Sequence, residues 1–350
     1  MLDFVLEKFD LWHNLAALQK PLILYGMGDG ADKITRVLEG KGIAWTDVFA
    51  SDEFVRGHSY KGIRVKSFDE ICSLYDDFAV LLCFATNRSD VIDRIKRMME
   101  KYTVFAPDLP VAGDGIFDWD YLIRNADRIR QAYNRLHDCR SKSVFADIIN
   151  YKLSGKPQYL FAAESDKSEV YTDILCVTQN ETYIDAGAYD GDTIGEFLSY
   201  THGRFNQIHA FEPDTKNYRK LVKYTESLKA PGVYTYNKGL YSLDAEVGFD
   251  SRGGRSSGIS DKGRAADMIT LDSLNLSPTI IKLDIEGAES EALKGAERTI
   301  LLHRPRLYVC AYHRNDDIWK IPIALSDMSY RVYMRHHRYI PAWETNVYGV

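Results

Sequence analysis

Two rhythms of apolar residues alternate along this chain. Short apolar runs of strand length end in glycine or an acidic residue, then give way to stretches where apolar side chains return at helical spacing. The clearest case is YIDAGAYDGDT, residues 183–193, which predicts a buried strand, a glycine-bearing turn and the opening of a helix. IHAFEPD, residues 208–214, predicts a second strand, stopped by Pro213 because proline lacks the backbone donor a ladder needs. Residues 233–236 predict a third strand, TIIKLDIEGAE (279–289) a fourth and RLYVCAYH (306–313) a fifth, with helical patterns over ALKGAERTI and around Asp317 and Trp319. Last come two strand-like runs in YRVYMRHHRYIPAWETNVYGV, joined by a short turn with Pro341. Parallel neighbours need long crossovers, so these two must pair antiparallel. The expected architecture is α/β, a parallel sheet finished by an antiparallel hairpin.

The first third of the chain repeats the architecture on a smaller scale. PLILYGMGDGADKITRVLEG, from Pro21, reads as strand, glycine turn and helix, with Gly26, Gly28 and Ala31 matching G-x-G-x-x-[GA]. WTDVFASDE then brings Asp52 to the place of a ribose-binding acid, and further strand-like runs lie at 63–65, 79–84 and 103–105. This is a Rossmann-like unit that either binds a nucleotide or nucleotide-sugar or serves as a scaffold. Between the two units, Ile123, Ala126, Ile129, Ala132, Tyr133 and Leu136 recur at helical spacing. That segment is expected as a connector, a cap on the larger sheet or a wall of an acceptor site. The loop PDLPVAGDG before it, rich in proline and glycine, marks a boundary. Expected domains are 1–112, 113–165 and 166–350. The glycine-rich SRGGRSSGISDKGR, from Ser251, is expected as a flap over the site, and MLDFVLEKFDLWHNL as an amphipathic helix.

Candidate chemistry gathers where the predicted strands end. Gly187 and Gly191 permit a tight turn and a close approach to a ligand, and the helix that follows offers free N–H groups to an anion. Glu212 at the tip of the second strand is placed to take both ribose hydroxyls of an adenosine. Asn237, Lys238 and Gly239 reach the same rim, where a backbone amide could read an adenine edge. Asp284, Glu286 and Gly287 end the fourth strand, and His313 ends the fifth. Acids held so close together are costly unless a cation or a titrating substrate offsets them.

From Tyr183 onward the sequence resembles the FkbM family of S-adenosylmethionine-dependent methyltransferases. The DAGAYDGDT turn, FEPD, TLDSL (270–274), IKLDIEGAE, the CAYH strand end and the ETNVYGV ending follow the family's order. The resemblance implies the class I methyltransferase sheet, with S-adenosylmethionine as methyl donor. It places Asp185, Gly187 and Gly191 by the methionine part of the cofactor and Glu212 by its ribose. Ala188, Asp192, Thr193, Pro213, Lys238, Gly239 and Asp284 complete the expected cofactor set. Asp284, Glu286 and His313 would face methyl transfer. His313 is the leading candidate for the base because histidine titrates near neutrality, the alternatives being a histidine that only hydrogen-bonds within the strand-end loop and Asp284 as the base. Asp284 and Glu286 could also hold Mg²⁺ with waters filling its shell. Family members methylate hydroxyls, often on sugars or glycosylated metabolites, so a carbohydrate O-methylation is expected. The rival readings are a nicotinamide-dependent oxidoreductase built on the N-terminal unit, and a non-catalytic nucleotide-binding assembly protein. The first has no Tyr-x-x-x-Lys pairing near its turn, and the second leaves the acid cluster unexplained.

Composition narrows the partners. The 350 residues are 45% hydrophobic and 12% aromatic, enough for more than one packed core. A net charge of −6 argues against a nucleic-acid partner. The basic run 331–338 is expected as a solvated strand edge. Five scattered cysteines without a C-x-x-C pair, and no apolar run long enough to span a bilayer, lead to the expectation of a reduced, cytoplasmic protein.

Overall fold

The structure, a computed structural model, describes residues 2–55, 57–250, 258–259 and 264–350. The expected flap at 251–264 lies almost wholly outside them. In the N-terminal unit, β1 (Leu22–Tyr25), β2 (Asp47–Phe49), β3 (Ala79–Leu82) and β4 (Thr103–Phe105) form a parallel sheet in the order β2-β1-β3-β4. Both faces are covered, as parallel strands require. Leu22 and Leu24 point to one core with Ala31, Ile34 and Leu38 of the helix Asp29–Gly40, whereas Ile23 and Tyr25 point to the other. The run expected as a strand at 63–65 does not join this sheet. Ile63–Arg64 instead folds back antiparallel on Ser59–Tyr60, because Lys61 and Gly62 both take positive φ, the geometry of a tight hairpin turn.

The C-terminal unit is a seven-stranded sheet made of β5 (Thr182–Ala186), β6 (Gln207–Phe211), β7 (Val233–Tyr236), β8 (Ile280–Leu283), β9 (Arg306–Cys310), β10 (Val332–His336) and β11 (Thr345–Gly349). Its order is β10-β11-β9-β8-β5-β6-β7. The five strands β9-β8-β5-β6-β7 are parallel, and β11 runs antiparallel to both of its neighbours. The hairpin thus appears as expected, with its second strand lying between β9 and β10.

The linking segment is not a free connector. The helix Cys139–Ser154 is buried at Ser141, Val144, Phe145 and from Ile148 to Ser154, and one apolar core runs from the N-terminal sheet through it to the C-terminal sheet. Its Ser141 hydroxyl accepts the N–H of Met334 in β10, and Lys152 forms a buried ion pair with Asp108. Two sequence expectations fail nearby. The start of the chain is helical only over Leu11–Ala16, since Asp10 caps that helix and the Asn150 side chain accepts the N–H groups of Leu6 and Glu7. In the basic run, Arg335, His336 and His337 are buried rather than solvated, with Arg335 held between Asp138 and Glu169.

Candidate active site

Ligands of open parallel sheets lie beyond the carboxyl ends of the strands. There the tips of β5, β6, β8 and β9 surround a cleft of about 1280 Å³, open solvent at its mouth included. Of the expected residues, Gly187, Asp192, Thr193, Glu212, Pro213, Gly239, Asp284, Glu286 and His313 line it. Among the described residues, Asp185, Ala188, Gly191 and Lys238 do not. Asp185 and Ala188 are fully buried, and the Lys238 ammonium lies 4.0 Å from the Asp267 carboxylate.

The glycine turn is built as expected, for a different reason. Gly187 has φ +79°, and a Cβ there would stand 1.8 Å from the Asp284 carbonyl oxygen. Gly191 has φ +96°, and its Cβ would stand 2.2 Å from the Tyr224 ring. Both positions need glycine so that β5 can close on β8 and on the helix Thr215–Leu228. The close approach is to the chain itself.

Glu212 follows β6 and is 6% exposed. Its carboxylate accepts the backbone N–H groups of Tyr189 (3.0 Å) and Asp214 (2.8 Å). Burial pushes its pKa up to about 7, against the pull of those two donors. Pro213, Leu240 and Met268 stand beside it in the cleft wall.

A network of charges centres on β8. Lys282, in the middle of that strand and 2% exposed, places Nζ 3.3 Å from Asp185 Oδ1 and 3.6 Å from Asp284 Oδ2. Burial works against its charge, but the two carboxylates outweigh that and push its pKa well up. Asp185 also accepts the Thr193 hydroxyl at 2.5 Å. Asp284 accepts the Tyr312 hydroxyl at 3.0 Å, and although burial opposes its charge, Lys282 and His313 draw its pKa below the usual carboxylate range.

His313 sits among three carboxylates. Nε2 is 3.5 Å from Asp284 and 3.7 Å from Glu286, and Nδ1 is 2.8 Å from Glu289, an ion-pair contact rather than a linear hydrogen bond. Burial alone would lower the ring's pKa, yet Glu289, Glu286 and Asp284 together push it up to about 10. Burial moves Glu286 the other way, up to about 8, although the imidazolium opposes it. Glu286 holds an unusual backbone, φ +55°, and its buried Oε2 has no hydrogen-bond partner. Non-glycine residues in this region cost on the order of 1–3 kcal/mol and gather at functional sites. Glu289 shapes the loop by accepting the N–H of Ile285 at 2.9 Å.

Sequence reasoning passed over Lys282, Glu289 and Tyr312. Lys282 had a visible signal, a lone charge inside an apolar strand, which burial permits only with a partner. The Mg²⁺ expectation finds no support. Among the described residues no cluster of three or more His, Cys, Asp and Glu side chains is arranged to hold a metal, and Asp284 faces the chain's own cations, Lys282 and His313.

Residues 185–341 match the methyltransferase FkbM domain. Across the whole chain the fold is similar to that of a methyltransferase FkbM from Methylobacillus flagellatus KT, with 22% identity and a TM-score of 0.75 over 100% of this chain and 96% of that one. A precorrin-6y C5,15-methyltransferase from Geobacter metallireducens GS-15 aligns with 14% identity and a TM-score of 0.35, covering 56% of this chain and 88% of its own. An rRNA methylase from Streptococcus thermophilus aligns with 13% identity and a TM-score of 0.34, covering 52% and 93%. No curated protein matches the chain by sequence. The sheet order and the cleft at the strand tips go with that match: residues 185–341 resemble an FkbM methyltransferase domain, on a fold similar to that of the Methylobacillus protein.

Proposed function

We propose that the protein transfers a methyl group from S-adenosylmethionine to a hydroxyl oxygen of a carbohydrate-like acceptor. The observation that carries this reading is the placement of Glu212 and Glu286 in one cleft, at the tips of β6 and β8. Backbone donors already orient the Glu212 carboxylate, which prepares it to accept two hydroxyls of a ribose, while Pro213, Leu240 and Met268 offer an apolar wall to a flat base. When bound, the donor supplies an electrophilic methyl carbon on a positively charged sulfur. The chain's task is then to hold the acceptor oxygen in line and to remove its proton.

His313 suits that removal poorly, since with a pKa of about 10 its ring already carries both protons at neutral pH. Glu286, at about 8, has a conjugate base strong enough to accept a proton and lines the same cleft. In this reading Glu286 would take the proton of the acceptor hydroxyl, and imidazolium His313 would fix Glu286 and Asp284 in place. Glu212→Ala should weaken binding of S-adenosylhomocysteine to the full chain by about 1.5–3 kcal/mol, roughly ten- to a hundredfold. Calorimetric titration measures it, and unchanged affinity in a folded variant removes the ribose assignment.

The oxidoreductase reading is less well served. In the N-terminal turn a Cβ on Gly26, the first glycine of the fingerprint, would stand 2.8 Å from the Phe84 ring, so packing within the unit accounts for glycine there.

A further inference from the structure

The sheet order lays the cleft out across the strand tips. Pro213 and Leu240, which follow β6 and β7, stand at one end, and Tyr339, Trp343 and Glu344, between β10 and β11, stand at the other. At that second end another cavity opens, lined by Asn87, Phe161, Glu164 and Arg338 among others. Lys167 and Glu344, 3.4 Å apart, line both spaces, so the two adjoin. Asn87 belongs to the N-terminal unit, in the loop after β3. Beside it Thr86 exchanges backbone hydrogen bonds with Ile340 at 2.7 and 2.9 Å, and Arg338 donates to Ser89 at 3.3 Å. The smaller sheet thus brings the carboxyl end of a strand to the second cavity.

The lining has a definite chemistry. Its cations are already matched: Arg338 lies 2.7 Å from Glu164, and Lys167 lies 3.1 Å from Glu196 and 3.4 Å from Glu344. Such a surface does not select a phosphate, which calls for unmatched positive charge. It offers many hydrogen-bond donors and acceptors beside one aromatic ring, Phe161, with the Lys96 ammonium 4.6 Å from the ring's centre. On the same side of the main cleft, two buried polar atoms lack hydrogen-bond partners, the donor Trp343 Nε1 and the acceptor Glu196 Oε1. Each such orphan carries a desolvation cost until something satisfies it. A hydroxyl both donates and accepts, so a polyhydroxylated ligand satisfies both kinds.

We propose that the second cavity binds the neighbouring sugar unit of an oligosaccharide or glycoside acceptor whose reacting hydroxyl lies in the main cleft, and that Asn87 and Phe161 select for that unit. The proposal rests on the methyl-transfer reading, and its test separates the two. The full chain, saturated with S-adenosylhomocysteine, is titrated by saturation-transfer NMR with maltose, cellobiose and lactose and, in parallel, with glucose and galactose. At least one disaccharide should bind about tenfold or more tightly than its monosaccharides, and Asn87→Ala and Phe161→Ala should each abolish most of that advantage, close to the tenfold that 1.4 kcal/mol represents. S-adenosylhomocysteine affinity should not change in either variant. Asn87 is exposed, so its truncation keeps the test valid if Phe161→Ala melts early. No disaccharide advantage, or an advantage that survives both substitutions, overturns the proposal. Failure of S-adenosylhomocysteine to bind the unaltered chain overturns the methyl-transfer reading instead.

Discussion

Glu286→Gln is expected to lower turnover about 10²- to 10⁴-fold, the range over which a positioned general base contributes, while affinity for S-adenosylhomocysteine stays nearly intact. The amide keeps the side chain's shape and removes only the capacity to take a proton. The pH dependence gives the sharper test. The carboxylate form is the active one, so the rate should climb as Glu286 loses its proton around pH 8 and fall as His313 loses its own near pH 10. In Glu286→Gln the rising limb should vanish. A variant that keeps both rate and limb transfers the role of base to Asp284. The same shift bears on stability: Glu286 ionises less readily in the folded chain than its ordinary value of 4.5 allows, so its contribution is complete below that pH and is lost as pH rises through about 8.

Lys282→Met is expected to destabilise the chain by about 3–5 kcal/mol, because it leaves the buried Asp185 carboxylate, and the half-buried Asp284, without their cation. Asp185 would keep the Thr193 hydroxyl, and Asp284 would keep His313, Tyr312 and Cys310. Urea titration should show the midpoint fall, and the deficit should shrink as acid neutralises the stranded carboxylates. Adding Asp185→Asn should recover part of the loss, since residues in one charge network do not act additively. A loss below about 1 kcal/mol, the ordinary worth of an exposed pair, would mean that the network does little for the fold.

Local pattern revealed much of this molecule. The strand, turn and helix of residues 183–193 and the strand Val233–Tyr236 were legible because apolar period, glycine and proline act over a few residues. Pairings between distant segments were not. Lys282 and Asp185 are 97 residues apart, and nothing in either motif announces the other. The demand for glycine at 187 was legible, but not its cause, which is the backbone of Asp284. The protonation of His313 was not legible on the same ground: an isolated histidine titrates near neutrality, and only the fold gathers Glu289, Glu286 and Asp284 around it. Likewise Arg335 read as a solvated edge residue until Asp138 and Glu169 closed over it.

The helix Cys139–Ser154 has a consequence for how the protein comes apart. Its flanks touch both sheets through a single apolar core, and at its end Gly155 accepts the N–H of Ala106, just past β4. Neither sheet can lose its packing without baring a face of that helix and the Lys152–Asp108 pair beside it. Heat should therefore melt both units in one cooperative transition, with calorimetric and van't Hoff enthalpies in agreement. A parallel sheet and a mixed sheet of separate topology would then share one melting temperature.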